Sequence, residues 1–209
     1  MDKFKVKICG MRDVVNIVEI AMLRPDYMGF VFYERSPRYA VGLNLAVLNC
    51  LFPSTFSVGV FVNAKMEHVV ETVEYYRFNV LQFHGVETPE YCAELKARYK
   101  CEIIKAFGIS SKEDFEGTSR YEQVCDYFLF DAKTELYGGS GSKFNHSLLT
   151  NYEGKTPFFL SGGLTFEDAV KIKDCRHKLC YGIDVNSRFE ISPGIKNLGQ
   201  IEELLNLFK

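Results

Sequence analysis

Runs of apolar, β-branched or aromatic residues recur along this chain of 209 residues, with 22 to 30 residues between one start and the next. Their composition and short length are typical of β-strands. The runs begin near Phe4, Tyr27, Phe56, Val80, Glu102, Tyr127, Pro157 and Cys180. The sequence therefore predicts strands at regular spacing.

Most of the segments between these runs carry apolar residues at helical spacing. The apolar stripes contain Val14, Val15, Val18 and Met22; Leu45, Leu48 and Leu51; Val69, Val70 and Val73; Tyr91, Leu95 and Tyr99; Val170 and Ile172; and Ile201, Leu204, Leu205 and Phe208. Residues 111–123 have no such stripe, so we expect the helix after the fifth strand to be short or missing.

Alternating strands and helices form right-handed crossovers and a parallel sheet. Eight units of about 25 residues come to about 200 residues, the lower limit of a (β/α)8, or TIM, barrel. An open doubly wound sheet needs fewer strands, and its first turn would normally carry a glycine-rich dinucleotide loop. The turn after the first strand holds only Gly10. We therefore predict an α/β protein with a single (β/α)8 barrel domain over residues 1–209.

Charge and composition narrow the class of partner. The formal net charge is -2 with both signs interspersed, which is not the basic surface of a nucleic-acid or anionic-membrane binder. No apolar run approaches the roughly 20 residues of a membrane span. The seven cysteines are an odd number, and no secretory signal precedes the first strand, so we expect a cytoplasmic location.

In such a barrel the residues that follow the strands form one rim, where chemistry takes place. The first strand delivers Cys9 to this rim, with Lys7 on the same face because strand side chains alternate. Later strand ends contribute Arg35 and Arg38; Asn63; Gln82 and His84; Asp131 and the glycine-rich loop 138–141; Gly162 and Gly163; and Asp184, Asn186 and Ser187.

The seventh and eighth strand ends predict an anion site. Gly162 and Gly163 let main-chain N–H groups approach an anion, and they precede a helix with a capping pattern of Thr165 and Asp168. Barrels often bind phosphate between the loops after strands seven and eight. We favour a phosphate site here over a plain strand-to-helix turn.

Cys9 and Asp131 would face each other across the mouth of the barrel, where a thiol and a carboxyl can act as a proton-transfer pair. Cys9 could instead be a small buried apolar residue, and Asp131 could cap a turn. Arg38 is suited to bind a carboxylate through two parallel hydrogen bonds, or it is a solvated loop residue.

These motifs in this order resemble the phosphoribosylanthranilate isomerase family of tryptophan biosynthesis. The matching segments are residues 7–11, 29–33, 36–39, 58–63 and 81–85, Asp131 with 138–141, residues 161–164, and Asp184 with Glu190 and 193–194. They span nearly the whole chain. Besides Phe83, which replaces a usual leucine with a tolerable change of volume, two positions depart from the family pattern: Asn186 replaces a common serine, and Arg188 replaces a usual glycine, which would strain a left-handed backbone.

The resemblance implies an Amadori rearrangement of N-(5'-phosphoribosyl)anthranilate to 1-(2-carboxyphenylamino)-1-deoxyribulose 5-phosphate. It implies that Asp131 is the general acid, which protonates the sugar ring oxygen, and that Cys9 is the general base, which removes the proton from C2. Arg38 would bind the anthranilate carboxylate. The reaction would need no metal and no organic cofactor. The remaining substrate-binding residues would be Gln82, His84, Gly162, Gly163, Asp184, Asn186 and Ser187. His84 could instead be a hydrogen-bonded histidine of the core.

The thiol would act as a base only when ionised, which a nearby cation favours. Lys7 is the candidate cation, although a buried lysine can pair with a carboxylate instead. The expected partner is the small phosphorylated substrate alone, with no nucleic acid or membrane, and the protein would be a monomer or weak homodimer.

Other functions stay open at this point. An isomerase of the analogous histidine-pathway aminoaldose would typically have an aspartate at position 9 and two similar halves, and a barrel that only senses a metabolite would need no acid–base pair. Lys105 could form the Schiff base of an aldolase, or be an inward lysine paired with a carboxylate. Cys175, His177 and Cys180 superficially suggest zinc ligands but lack a second cluster.

Overall fold

A computed structural model describes residues 4–132, 145–175 and 177–209. The predicted glycine loop at 138–141 and Arg176 lie outside the described residues. Eight parallel strands pair in sequence order, and β1 pairs with both β2 and β8, so the sheet closes into a barrel. The strands are β1 Lys5–Ile8, β2 Tyr27–Phe32, β3 Phe56–Phe61, β4 Val80–Phe83, β5 Glu102–Ile109, β6 Tyr127–Ala132, β7 Phe158–Leu160 and β8 Cys180–Val185. The predicted barrel is confirmed.

Helices follow most of the strands and cover the outside of the barrel. They are α1 Val14–Met22, α2 Leu45–Leu48, α3 Met66–Tyr76, α4 Pro89–Tyr99, α5 Phe166–Cys175 and α6 Leu198–Leu207. After β5 a 3-10 helix, Lys112–Tyr121, replaces an α-helix, as the missing apolar stripe predicts. Two more 3-10 helices, His146–Asn151 and Ser187–Phe189, follow β6 and β8.

A short hairpin between β8 and α6 was not predicted. It consists of β9 Glu190–Ser192 and the antiparallel β10 Ile195–Lys196, joined through Gly194, whose φ is +88°. Both strands are too short to produce an apolar alternation in the sequence. The hairpin matters because two of its charged side chains reach the mouth of the barrel.

The core has two layers, one inside the barrel and one between the strands and the helices. The inner layer contains Cys9, Tyr27, Val31, Val58, Val60, Val80, Ile104, Ala106, Leu129 and Phe159. Among the described residues, no helix combines the length and the apolar character that crossing a membrane requires.

The apolar stripe that predicts α1 is not its buried face. Val15 and Met22 are 66% and 65% exposed, whereas the side of the helix that contains Ile17 and Ile20 packs against the barrel. Because α1 is apolar on both sides, the spacing of its apolar residues predicts the helix correctly but does not identify which face packs against the barrel.

Candidate active site

Cys9 lies directly after β1 with its side chain inside the barrel, and its N–H donates to the carbonyl of Val185 at 2.9 Å. Gly29 of β2 makes room for the thiol. A methyl group on Gly29 would lie 2.8 Å from Sγ of Cys9 and 3.3 Å from Nζ of Lys7. The predicted placement of Lys7 and Cys9 on one inner face is therefore confirmed.

Lys7 pairs with Asp184, as predicted by the alternative in which a buried lysine pairs with a carboxylate. Nζ of Lys7 donates to Oδ1 of Asp184 at 2.9 Å, and the two side chains are 0% and 5% exposed. Burial by itself lowers the pKa of Lys7, but Asp184 and Cys9 outweigh it, so the pKa is raised. Burial raises the pKa of Asp184, although Lys7 acts against this.

The same ammonium group also acts on the thiol of Cys9. Burial raises the pKa of Cys9, while Lys7 and, more weakly, Lys196 oppose the rise. The thiol is therefore protonated at neutral pH. The cation reduces the effect of burial on this pKa but does not ionise the thiol by itself.

Arg38 is a buried member of an ion pair, which excludes the solvated-loop alternative. Its Nε donates to both carboxylate oxygens of Glu190 at 3.0 and 3.1 Å, and Nη2 donates to Oε2 at 2.7 Å. The side chains are 9% and 4% exposed. This pairing uses the Nε–Nη2 edge of the guanidinium and leaves the Nη1 side for a second carboxylate.

Lys196 of β10 is a fully buried cation that sequence reasoning missed. Its Nζ donates to Oε1 of Glu190 at 2.6 Å and to Oδ1 of Asn186 at 2.7 Å. Burial lowers the pKa of Lys196, against the opposing effect of Glu190. A lysine in a short hairpin carries no sequence signal of burial, because most lysines are exposed.

Glu190 is the carboxylate partner of both Arg38 and Lys196. Burial by itself raises the pKa of Glu190, but its hydrogen bonds to Arg38 and Lys196 outweigh burial and lower it. The N–H of Gly194 also donates to Oε1 at 3.1 Å. Glu190 appears in the family resemblance, but its role as the shared partner of two buried cations could not be predicted from it.

Asp131 lies at the end of β6 beside the two residues from the fourth strand end. Oδ2 of Asp131 is 3.3 Å from Nε2 of His84, and Nδ1 of His84 is 3.1 Å from Nε2 of Gln82. The Asp184 carboxylate interacts electrostatically with Asp131 and His84 on one side and with Cys9 on another. The Lys7–Asp184 pair therefore adjoins both members of the predicted acid–base pair.

The predicted anion site has the expected backbone. Gly162 and Gly163 have φ angles of +98° and +59°, which an L-residue rarely adopts. The predicted cap at the start of α5 is confirmed: N and Oγ1 of Thr165 donate to Oδ2 of Asp168 at 3.1 and 3.0 Å. Ser187, which the prediction assigns to the eighth strand end of this site, begins the Ser187–Phe189 helix.

The two departures from the family pattern have different outcomes. Arg188 lies in the Ser187–Phe189 helix and has no positive φ, so the expected strain does not arise. Asn186 is tied to Lys196 through its Oδ1 atom, and it packs against Gly10 (φ +77°), where a methyl group would lie 2.6 Å from Oδ1. Gly10 is thus required both by its dihedral angle and by this contact.

Lys105 does not point into the barrel, so that part of its interpretation was wrong. Its neighbours Ile104 and Ala106 face the interior, and strand alternation places Lys105 on the outer side. Nζ pairs with Glu87 at 3.4 Å, as the carboxylate-paired alternative anticipates, and donates to the carbonyl of Gly85 at 2.7 Å. A lysine in this position cannot form a Schiff base with a ligand at the mouth.

The family model described as N-(5'phosphoribosyl)anthranilate (PRA) isomerase matches residues 6–207. The N-(5'-phosphoribosyl)anthranilate isomerase of Parabacteroides distasonis is 46% identical over 202 residues, covering 96% of this chain and 91% of the relative. The crystal structure of phosphoribosyl anthranilate isomerase from Thermotoga maritima aligns with a TM-score of 0.86 and 34% identity over 98% of both chains.

A third similar protein has been crystallised with a ligand. It is a phosphoribosyl anthranilate isomerase crystallised in complex with reduced 1-(o-carboxyphenylamino)-1-deoxyribulose 5-phosphate. Its chain is 29% identical, with a TM-score of 0.78 over 97% of both chains. From the extent of the family match and these relatives, the chain belongs to the N-(5'-phosphoribosyl)anthranilate isomerase family.

Proposed function

We propose that the protein isomerises N-(5'-phosphoribosyl)anthranilate, with Asp131 as the general acid and Cys9 as the general base. The observation that carries this proposal is that Cys9 follows β1 and Asp131 lies at the end of β6, so both groups are at the carboxyl ends of strands of one barrel, with the Lys7–Asp184 ion pair beside Cys9. An acid and a base that act on two atoms of one sugar need this arrangement.

The reaction starts at the sugar ring. Asp131 gives its proton to the ring oxygen while the C1–O bond breaks, and the nitrogen lone pair forms the C1=N iminium. The Cys9 thiolate then removes the proton from C2. The electrons of that C–H bond form the C1=C2 double bond, and the C=N electrons return to nitrogen. The resulting enolamine tautomerises to the C2 ketone, which gains a proton at C1.

Cys9 must lose its proton before it can act. Burial raises the pKa of Cys9, so only a minor fraction is thiolate at neutral pH. Lys7 is the cation that stabilises this fraction, and Asp184 in turn holds Lys7 in place. We therefore assign Asp184 to the orientation of Lys7, in addition to the substrate-binding role that the family resemblance implies.

The remaining residues bind the two anionic ends of the substrate. The Nη1 side of Arg38 is the donor surface for the anthranilate carboxylate, while Glu190 holds the opposite edge. The backbone at Gly162, Gly163 and Ser187 is the phosphate site. Asn186 contributes its amide N–H2 group, because its oxygen already accepts a hydrogen bond from Lys196.

We further propose that the protein acts in the cytoplasm as a single barrel domain over residues 1–209, and as a monomer or weak homodimer. Its partner would be the small phosphorylated substrate, with no nucleic acid, membrane or cofactor. Sedimentation velocity over a range of protein concentrations would test the oligomeric state.

The decisive assay follows the loss of anthranilate fluorescence when purified protein is added to the substrate. Cys9→Ser and Asp131→Asn should each slow turnover by at least about 100-fold, the usual contribution of one acid or base. Cys50→Ser is the matched control, because Cys50 is an exposed free cysteine outside the barrel interior. Wild-type turnover in both active-site variants would show that these roles are wrongly assigned.

A further inference from the structure

We propose that His84 is a positioning residue for Asp131, and that Gln82 fixes the tautomer in which His84 donates a hydrogen bond to that carboxylate. The family resemblance implies that both residues contact the substrate. The geometry points instead to a chain of side chains that ends on the general acid. The inference rests on the proposed function, because it assumes that Asp131 is the acid.

The three side chains come from two strand ends that face the same interior. Gln82 in β4 is buried, with 1% exposure, and His84 follows two residues later on the same side of the chain. The N–H of His84 donates to the carbonyl of Phe61 at 2.9 Å, which anchors its backbone to β3. From this base the imidazole lies between Gln82 and Asp131, at 3.1 and 3.3 Å.

The donor inventory fixes where the proton of His84 sits. The amide nitrogen of Gln82 can only donate, so Nδ1 of His84 must accept, and the proton of the neutral ring is then on Nε2. An ionised Asp131 can only accept a hydrogen bond. The proton on Nε2 is therefore the one that an acceptor at Oδ2 of Asp131, 3.3 Å from Nε2, requires.

The orientation of the Gln82 side-chain amide follows from the free-energy cost of burying polar groups without hydrogen-bond partners. Oε1 of Gln82 is buried and accepts no hydrogen bond from any residue in the described parts of the chain. In the observed orientation one N–H group is paired and Oε1 is not, whereas an amide rotated by 180° would pair Oε1 and leave both N–H groups without a partner. A buried N–H group without a partner is rarer in proteins than a carbonyl oxygen without one. The observed orientation is the one that keeps Nδ1 as an acceptor.

This arrangement supplies what the acid needs after it has reacted. When Asp131 loses its proton, Oδ1 already accepts the N–H of Ala132 at 2.8 Å, and Oδ2 lies next to Nε2–H of His84. The charge that develops on Asp131 thus meets one hydrogen-bond donor at Oδ1 and the Nε2–H group of His84 3.3 Å from Oδ2, in a site that is mostly shielded from water. The same contacts hold the carboxyl group in one orientation.

The kinetic test replaces His84 by Leu, which removes the donor, and by Gln, which keeps one. We expect kcat to fall about 10- to 100-fold in His84→Leu, the usual effect of losing a residue that orients another. KM should change by less than about threefold on the same argument. His84→Gln should recover part of kcat. A large rise in KM with unchanged kcat would mean that His84 is a substrate contact, and would overturn the proposal.

A spectroscopic test on the wild-type protein does not depend on whether a variant folds. ¹⁵N NMR of histidine-labelled wild-type protein should show His84 as the Nε2–H tautomer, with exposed His68 of α3 as the internal reference. Gln82→Met, which cannot donate, should release His84 into a mixture of tautomers. A wild-type signal from the Nδ1–H tautomer would overturn the proposal.

A double-variant comparison separates this inference from the proposed function. If Asp131 is the acid, Asp131→Asn alone removes most activity, and His84→Leu should add little further loss in that background. If Asp131→Asn retains full activity, the proposed acid is wrong. If Asp131→Asn loses most but not all activity and His84→Leu causes the same fold loss in both backgrounds, the proposed function stands and the role of His84 is wrong.

Discussion

The ammonium group of Lys7 lies 2.9 Å from the carboxylate of Asp184, although 177 residues separate them in the sequence. Lys7 is in β1 and Asp184 is in β8, and the two residues are paired in register where the first strand meets the last. The ion pair therefore forms only when the barrel closes. Because the same ammonium group acts on Cys9, the electrostatics of the thiol depend on closure as well.

Replacing Lys7 by Met should change how activity depends on pH. Burial raises the pKa of Cys9, and the base must be ionised, so kcat/KM should rise with pH through the neutral range and into the alkaline range. Loss of the cation raises this pKa further, so the rise should move to higher pH. At a fixed pH below the rise, each pH unit of movement costs about tenfold in kcat/KM.

The control is Lys5→Met. Lys5 shares the strand and the face of Lys7, but it pairs with Asp26 at 3.1 Å. Its replacement should leave the pH profile where it is. Because Lys7→Met leaves Asp184 buried without its partner, circular dichroism should first confirm that the variant is folded. An unshifted profile in folded Lys7→Met would show that Lys7 does not control the base.

Gly29→Ala should impair catalysis by displacing the thiol. The added methyl group would lie 2.8 Å from Sγ of Cys9, closer than packed atoms allow. We expect kcat to fall about 100-fold, the effect of misplacing a reacting group by about 1 Å. Overpacking should also reduce the free energy of unfolding by about 1–3 kcal/mol. Gly117→Ala, where no other atom lies within 4 Å, is the neutral control in the fluorescence assay and in urea unfolding.

Glu190→Gln should weaken substrate binding more than it slows chemistry, because Glu190 holds the edge of Arg38 opposite the proposed carboxylate site. KM should rise about tenfold or more, equivalent to about 1.4 kcal/mol of lost binding. Glu203→Gln, on the exposed side of α6, is the matched control. Equal losses in kcat and kcat/KM would argue against this assignment.

Glu190→Gln should also change how the free energy of unfolding depends on pH. Because Arg38 and Lys196 outweigh burial and lower the pKa of Glu190, its pairing stabilises the fold above the ordinary pKa of a glutamate. That contribution is lost as the pH falls through the lowered value. Urea unfolding between pH 3 and 7 should therefore show a smaller acid-side loss of stability in Glu190→Gln than in the wild type.

The barrel could be predicted from the sequence because its strands leave local signals. Each predicted start lies within one residue of the observed strand, for example Pro157 against Phe158 in β7. Buried parallel strands are continuous apolar runs, which short-range patterns reveal. The inner face of α1 could not be predicted in this way, because Val15 and Ile17 lie on opposite sides and are both apolar.

The charged network at the mouth was less predictable than the strands. Glu190 is 152 residues from Arg38, and only the folded hairpin brings β9 and β10 over the end of β2. A buried lysine such as Lys196 has the same local sequence pattern as an exposed one. Lys105 is a different case, because strand alternation relative to the inward-facing Ile104 and Ala106 specifies its outward direction.

Lys105 provides a test of stability that leaves the active site untouched. Its Nζ is buried on the outer side of β5 and is bound to Glu87 and to carbonyl oxygens that include those of Phe83 and Gly85. Lys105→Met keeps the stem but removes these contacts. Breaking one partner of a buried pair usually costs about 3–5 kcal/mol. Here we expect the lower part of that range, because Glu87 keeps its hydrogen bonds from Asn63 and Gly85.

The measurement is urea unfolding of Lys105→Met beside Lys112→Met. Lys112 is exposed, and its nearest carboxylate, that of Glu113, lies 3.9 Å away, so its replacement should change stability by less than about 0.5 kcal/mol. Under conditions where both variants are folded, each should keep wild-type kcat and KM, because Lys105 lies on the outer side of β5 and Lys112 is exposed to solvent. A loss of kcat in folded Lys105→Met, or trapping of a ligand on Lys105 by borohydride, would contradict the outward placement of this lysine.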